Sequence, residues 1–195
     1  MGDAATRTRE RILAAAEELL RRHGPTKTTV SDVALGMSHA NVYRHFASKA
    51  DLRDAVAERW LHAVSAPLAA IASGTGPAGD RLLAWLLALA EAKRRKVHGN
   101  PKLFANYHAI AGQARSVVAQ HVAGLQDQLA GIVRDGIVHG EFAPIDPDAA
   151  AAAVLDATLR FHHPQHVREP GGRDLSVEAR RIMELLLAGL GAGPS

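Results

Sequence analysis

A chain of 195 residues is long enough for one larger domain, or for a small domain joined to a medium one. Hydrophobic residues make up 47% of it, mostly Ala and Leu, and aromatics only 4%, which excludes disorder by composition and favours helix over strand. The formal charge of +3 is too small an excess to demand a nucleic-acid partner, and the absence of cysteine excludes disulfides, thiol nucleophiles and thiolate metal sites.

The positive excess is spread along the chain: 10 Lys and Arg against 8 Asp and Glu precede Ser65, and 13 against 12 run from there on. No apolar run follows the charged Arg7–Arg11 segment, and stretches such as Leu82–Ala90 fall well short of the ~20 residues that span a bilayer. The expectation is a soluble, cytoplasmic protein with no membrane partner.

The first helix is predicted from about Thr6 to His23, with Ile12, Leu13, Ala16, Leu19 and Leu20 in one apolar stripe. Gly24-Pro25 ends it, Gly24 being able to take the left-handed cap position. Thr28 opens a second, short helix through Ala34, Leu35-Gly36-Met37 reads as a turn, and Ser38 caps a third helix from His39 to Phe46. Ser48-Lys49-Ala50-Asp51 has capping-box form and starts a fourth helix expected to reach about Val64, before Pro67. The Gly/Pro cluster Ser73–Gly79 then breaks the chain. Five more helices are predicted at roughly 80–98, 101–112, 114–138, 147–163 and 176–190, the fourth of these opened by Asp146-Pro147 as cap and first helical residue. No run reads as a strand. The fold class is all-α with about nine helices: a three-helix head over 1–50, a connecting helix at 50–64, and a helical body over 65–195.

A short helix, a Gly-containing turn and a second short helix form the helix-turn-helix signature, whose second helix fits the major groove of DNA. The side chains there suit that task. His39, Ala40 and Asn41 stand at the N-terminal end of the candidate recognition helix, where Asn can bond adenine bidentately and Ala can pack on a thymine methyl. Tyr43, Arg44 and His45 supply a hydroxyl and basic groups for phosphate oxygens, flanked by Lys49 and by the helix start at Thr28. Arg53 and Arg59 read as solvated.

Arg11–Ala16, Thr28–Ala34 and the run Asn41-Val42-Tyr43-Arg44-His45-Phe46-Ala47-Ser48-Lys49-Ala50-Asp51-Leu52 resemble the TetR family of transcriptional regulators. The resemblance covers about the first 60 residues and is most specific in its Tyr-x-x-Phe-x-x-Lys spacing. It implies an operator-binding repressor, with Tyr43 and Lys49 as phosphate clamps, that a small-molecule effector releases from DNA. The chain departs from the family pattern at one point, having about two residues fewer between Ala34 and the Tyr43 triplet. Two residues turn a helix by ~200°. Either the second helix ends within about one residue of Ala34, with Gly36 holding the turn, or two residues are missing from the sequence at Ala34–Leu35.

The resemblance further implies a mostly apolar effector cavity within the middle helices, for which Trp85, Leu89, Phe104, Tyr107, His108 and Phe161 are candidate walls, with ordinary core packing as the competing reading. It also implies a homodimer. The last two helices carry apolar residues on more than one face, and Leu155, Leu159, Ile182, Leu186 and Leu190 are the candidate interface. His162, His163 and His166 could in principle ligate a metal, but adjacent helical histidines point about 100° apart and Pro164 follows, so no metal site and no cofactor are predicted. Lys93–Lys96 reads as a solvated basic helix end. No phosphate loop, His-Glu-x-x-His or nucleophile elbow is present, so an enzyme is not expected. The alternative is a DNA-binding or protein-interaction module without an effector.

Overall fold

A computed structural model describes residues 2–24, 39–163, 166 and 175–192. Among these every regular element is helical: α1 (Gly2–His23), α2 (His39–His45), α3 (Lys49–Ala72), α4 (Ala78–Gly99), α5 (Pro101–Ala111), α6 (Arg115–Val138), α7 (Pro147–Ala157), α8 (Leu159–His162) and α9 (Leu175–Ala192). The short helix expected at Thr28–Ala34, the turn at Gly36, and both readings of the Ala34–Leu35 spacing lie outside the described residues. No described helix is long and apolar enough to cross a membrane.

The local signals in the sequence place most helix ends. Gly24 takes φ +76°, a region costly for residues with a Cβ, and its amide donates to the Leu20 carbonyl at 3.0 Å, closing α1. Ser48 Oγ accepts the Asp51 amide at 3.1 Å at the start of α3. Asp146 accepts the Asp148 and Ala149 amides ahead of Pro147, and Asn100 accepts that of Leu103 ahead of Pro101.

Besides the start of α1, at Gly2 and not about Thr6, two helices depart from expectation. The fourth predicted helix does not stop before Pro67 but runs on to Ala72. An interior proline costs ~3 kcal/mol by removing one N–H bond and crowding the carbonyl four residues back. Val64 and Leu68 flank it fully buried, each contributing about 1.5–3 kcal/mol, so burial outweighs the break. Conversely, the single helix predicted over 147–163 divides at Thr158. Its hydroxyl donates to the Val154 carbonyl at 2.6 Å, and His162 Nε2 lies 3.3 Å from the Leu155 carbonyl, so side chains compete with the regular backbone bonds there.

The chain forms two compact units, Met1–Leu61 with Asn100–Ala119, and His62–Gly99 with Gln120–Ser195. The first therefore includes α5, which the sequence reading had grouped with the body. Asn106 of α5 donates to the Leu20 carbonyl at 2.8 Å, and Tyr107 stacks on Trp60 of α3 with ring centroids 5.0 Å apart. The core of the second unit gathers Leu82, Trp85, Leu86 and Leu89 of α4, Leu125, Leu129, Ile132 and Val133 of α6, Val154 of α7, Phe161 of α8 and Met183 of α9. Buried Arg81 of α4 stitches this unit, donating to the Ala72 and Gly74 carbonyls and to Asp135 of α6 at 2.9–3.2 Å. Glu141 accepts the Ala78 amide at 2.6 Å, placing a carboxylate at the positive end of α4.

Gly136 of α6 carries the ring of Phe142 so closely that a Cβ at position 136 would overlap it. Gly136→Val should therefore lower the urea unfolding midpoint, costing about 1–3 kcal/mol by overpacking. An unchanged midpoint would refute this packing.

Burial pushes the His162 imidazole down to about 4 from its ordinary 6.5, with the Lys93 ammonium and His163 acting the same way and the Leu155 bond opposing. Between those values the unfolded chain binds the proton and the folded one does not. This histidine's contribution is thus complete above pH 6.5 and lost as pH falls from 6.5 towards 4. His162→Leu should flatten the fall of the urea midpoint across that window, and an equally steep fall would show that this imidazole does not titrate as described.

Candidate functional site

In the first unit, Ile12, Leu13, Ala16 and Leu20 of α1 are buried, and α2 adds Val42 at 0% exposure, with Phe46 just beyond it at 4%. These two, four residues apart, turn one face of α2 inward. The Arg9 guanidinium caps the packing from outside, 5.3 Å from the Phe46 ring centroid. With that face fixed, Ala40, Tyr43 and Arg44 of α2 turn outward. Ala40 and Arg44 are exposed, Tyr43 is 51% exposed, Asn41 and His45 are half-buried, and Lys49 is exposed at the start of α3. His39 begins the helix, while Thr28 and Ser38 lie outside the described residues. An apolar side holding the helix and a polar, basic side turned outward is what a helix needs to enter a groove lined with phosphates.

Arg59 is not simply solvated. It pairs with Glu10 at 2.7 Å and Glu17 at 3.4 Å and so ties α3 to α1. Arg53 pairs with Asp54 and donates to Gln113 at 3.2 Å. Glu18 is held down to about 2 by its bonds to Arg21 and Arg22. These arginines serve the scaffold of the unit.

The six candidate cavity residues divide between the units. Phe104 and Tyr107 are buried in the first, against Trp60, with His108 stacked on Phe104 at 6.2 Å. Burial first, then Glu17, raises the Tyr107 hydroxyl above its ordinary value, with Arg59 opposing. Trp85, Leu89 and Phe161 belong to the core of the second unit. Trp85 Nε1 donates to Gln128 at 2.9 Å, and Gln128 in turn donates to the Ser65 carbonyl at 3.4 Å.

The reading of Lys93–Lys96 as a solvated run is corrected at its first residue. Arg94 and Arg95 are exposed and pair with Glu91, but Lys93 is only 7% exposed. Burial, then Lys96, lowers its ammonium to about 8. The signal was present in the spacing, since Lys93 follows Trp85 and Leu89 at four-residue intervals on the apolar face of α4. Nearby, burial and then Lys93 push His121 down to about 4. Of the three clustered histidines, His162 is buried and bonded within its own helical turn region, while His163 and His166 pack ring to ring at 5.6 Å. Among the described residues no group of three or more His, Asp or Glu could hold a metal ion.

Of the candidate interface residues, Leu155 and Leu190 are buried in the core of their own chain, Ile182 and Leu186 are partly buried against it, and Leu159 is exposed. Val177 and Leu185 of α9, outside that candidate set, are exposed large apolar residues there.

Comparison with known proteins places these features. The family model for bacterial regulatory proteins of the tetR family matches residues 12–56, and that for the tetracyclin repressor-like C-terminal domain matches residues 78–183. No curated protein matches the chain. Similar solved structures include a transcriptional regulator from Pseudomonas aeruginosa PAO1, with a TM-score of 0.71 and 20% identity over 94% of this chain and 90% of that one. The regulator FadR from Bacillus subtilis in complex with stearoyl-CoA has a TM-score of 0.63 and 19% identity, over 92% and 98%. RolR in complex with resorcinol has a TM-score of 0.62 and 16% identity, over 98% and 91%. With one family model spanning more than half of its length and the other covering the helix-turn-helix, the chain belongs to the TetR family of DNA-binding transcriptional regulators.

Proposed function

We propose that this regulator is a homodimeric repressor that reads operator DNA through α2 and leaves it when a small-molecule effector binds within the second unit. The observation that carries the DNA reading is the division of α2: Val42 and Phe46 hold it to the core while Ala40, Tyr43, Arg44 and then Lys49 face outward. On this reading His39, Ala40 and Asn41 approach base edges, and Tyr43, Arg44, His45 and Lys49 hold phosphates, with Thr28 and Ser38 assigned to the same surface. The effector reading is supported by two similar structures that are complexes, one with stearoyl-CoA and one with resorcinol. Trp85, Leu89 and Phe161 are the residues we assign to its apolar surroundings. The partners are then double-stranded operator DNA, an effector and a second copy of the chain, in the cytoplasm, with no catalytic role.

Phosphate and base contacts separate in a gel shift on DNA selected from a random pool. Tyr43→Phe and Lys49→Ala should weaken binding to selected and unrelated DNA alike, and loss of Lys49 should reduce the salt slope by about one. Asn41→Ala should relax preference at one position, by ~1–3 kcal/mol, and leave non-specific affinity nearly unchanged. Normal binding by both Tyr43→Phe and Lys49→Ala would refute the assignment.

The dimer reading rests on the apolar surface left on α8 and α9, where Leu185 is 74% exposed alongside Val177 and Leu159. Leu185→Glu changes an exposed position, so the fold is retained, and light scattering at micromolar concentration should shift from dimer to monomer. A wild type that is already monomeric there would overturn the reading.

A further inference from the structure

The polar groups shared by α4 and α6 form a series. Arg81 meets Asp135 at 3.1 Å and Trp85 meets Gln128 at 2.9 Å, so the two helices run antiparallel, with rising numbers on one opposite falling numbers on the other. Two turns beyond Trp85 on α4 comes Lys93, and two turns back from Gln128 on α6 comes His121, displacements of about 12 Å and about 10 Å along the helices. That register sets Lys93 opposite His121. The first two pairs are complementary, cation to carboxylate and indole N–H to amide oxygen. The third is not. Lys93 is an ammonium 93% buried that among the described residues has no carboxylate partner, and His121 Nε2 is fully buried with no hydrogen bond. A third buried group, His162, stands on α8, which packs against α4.

A buried cation with no counter-ion and an imidazole nitrogen with no partner both destabilise the fold unless something else completes them. Leu89 and Val97 stand one turn to either side of Lys93 on α4, Leu125 one turn beyond His121 on α6, and Phe161 next to His162, all of them buried. We propose that Lys93, with His121 beside it, receives the carboxylate of an apolar organic acid, and that such an acid is the effector of this regulator. This rests on the effector reading given above and names the chemical class of the ligand. One ammonium between uncharged rings matches a monoanion, whereas a phosphate dianion would call for a second buried cation. The apolar neighbours fit a hydrocarbon or aromatic body and not a sugar or a peptide.

Folding without ligand leaves Lys93 uncompensated, so the free protein is held below its attainable stability and the acid recovers the difference on binding. Burial already lowers the ammonium to about 8, and an adjacent carboxylate would raise it again.

The test is calorimetric titration and thermal melting of the full chain with decanoate and benzoate, with decan-1-ol and benzyl alcohol as uncharged counterparts. At least one acid should bind and raise the melting temperature, and its alcohol should bind far more weakly. Lys93→Met, which removes the charge and keeps the shape, should melt higher than wild type without ligand and bind the acid at least about 30-fold more weakly. Lys93→Arg should retain most of the affinity, and His121→Leu should lose part of it, which keeps the inference testable should Lys93→Met fail to fold. No binding by either acid, or equal affinity in Lys93→Met, overturns it. Gel shifts on the same Lys93→Met protein separate the two readings. Retained DNA binding with unchanged acid affinity sinks the carboxylate inference alone, and a wild type that binds no DNA sinks the repressor reading alone.

Discussion

The antiparallel pairing of α4 with α6 is the constraint on which the second unit depends. Both helices bury a long apolar face, and each also brings polar atoms into that interface. A polar atom removed from water must find a partner or cost about 1–3 kcal/mol. Arg81 finds Asp135 and two carbonyls at the end of α3, and Trp85 finds Gln128, which reaches on to Ser65. These bonds fix the register that apolar side chains alone leave loose, because Leu and Val tolerate sliding while a bond of 2.9 Å between an indole and an amide does not. The same register then sets Lys93 and His121 in a place where neither is completed by the other. One helix pair thus sets both the satisfied and the unsatisfied polar groups of this unit.

The first unit solves a different problem. A seven-residue helix has almost no stability of its own, since nucleation alone is unfavourable and few bonds follow. α2 exists because Val42 and Phe46 are buried against its neighbours, and its outward residues are presented as rigidly as those two contacts hold. Arg59 bridges Glu10 and Glu17, and Trp60 stacks on Tyr107, so α1, α3 and α5 form the frame behind it. The surface ion pairs contribute little individually. The buried rings of Trp60, Phe104 and Tyr107 carry more, both by the area they remove from water and by their stacking.

Much of this was legible in the residues. The Tyr43-x-x-Phe46 spacing, the stripe on α1 and the caps at Gly24, Ser48 and Asp146 all appear as read, because each acts over a turn or two of chain. The division of α2 into an inward pair, Val42 and Phe46, and the outward Ala40, Tyr43 and Arg44 likewise follows from its period. Trp85, Leu89 and Phe161 could be named as cavity wall or core. What they pack against could not, so Phe104 and Tyr107 were grouped with Trp85 and Phe161 although they serve a different unit.

By itself, the sequence determined the all-helical class, the helix ends governed by capping side chains, and the helix-turn-helix with its outward residues. These depend on local chemistry: a hydroxyl or carboxylate within reach of a free amide, a glycine able to turn left-handed, an apolar period of 3.6. Only the tertiary structure decided that α3 continues through Pro67, that the helix ahead of His162 breaks at Thr158, that α5 belongs with the first unit, and that Lys93 is buried away from the solvated arginines beside it. Each of those outcomes is set by what lies across the interface. The burial of Val64 and Leu68 outweighs a lost backbone bond, and the four-residue spacing after Trp85 and Leu89 puts Lys93 on the apolar face of α4, but the helix that faces it decides whether it is enclosed there.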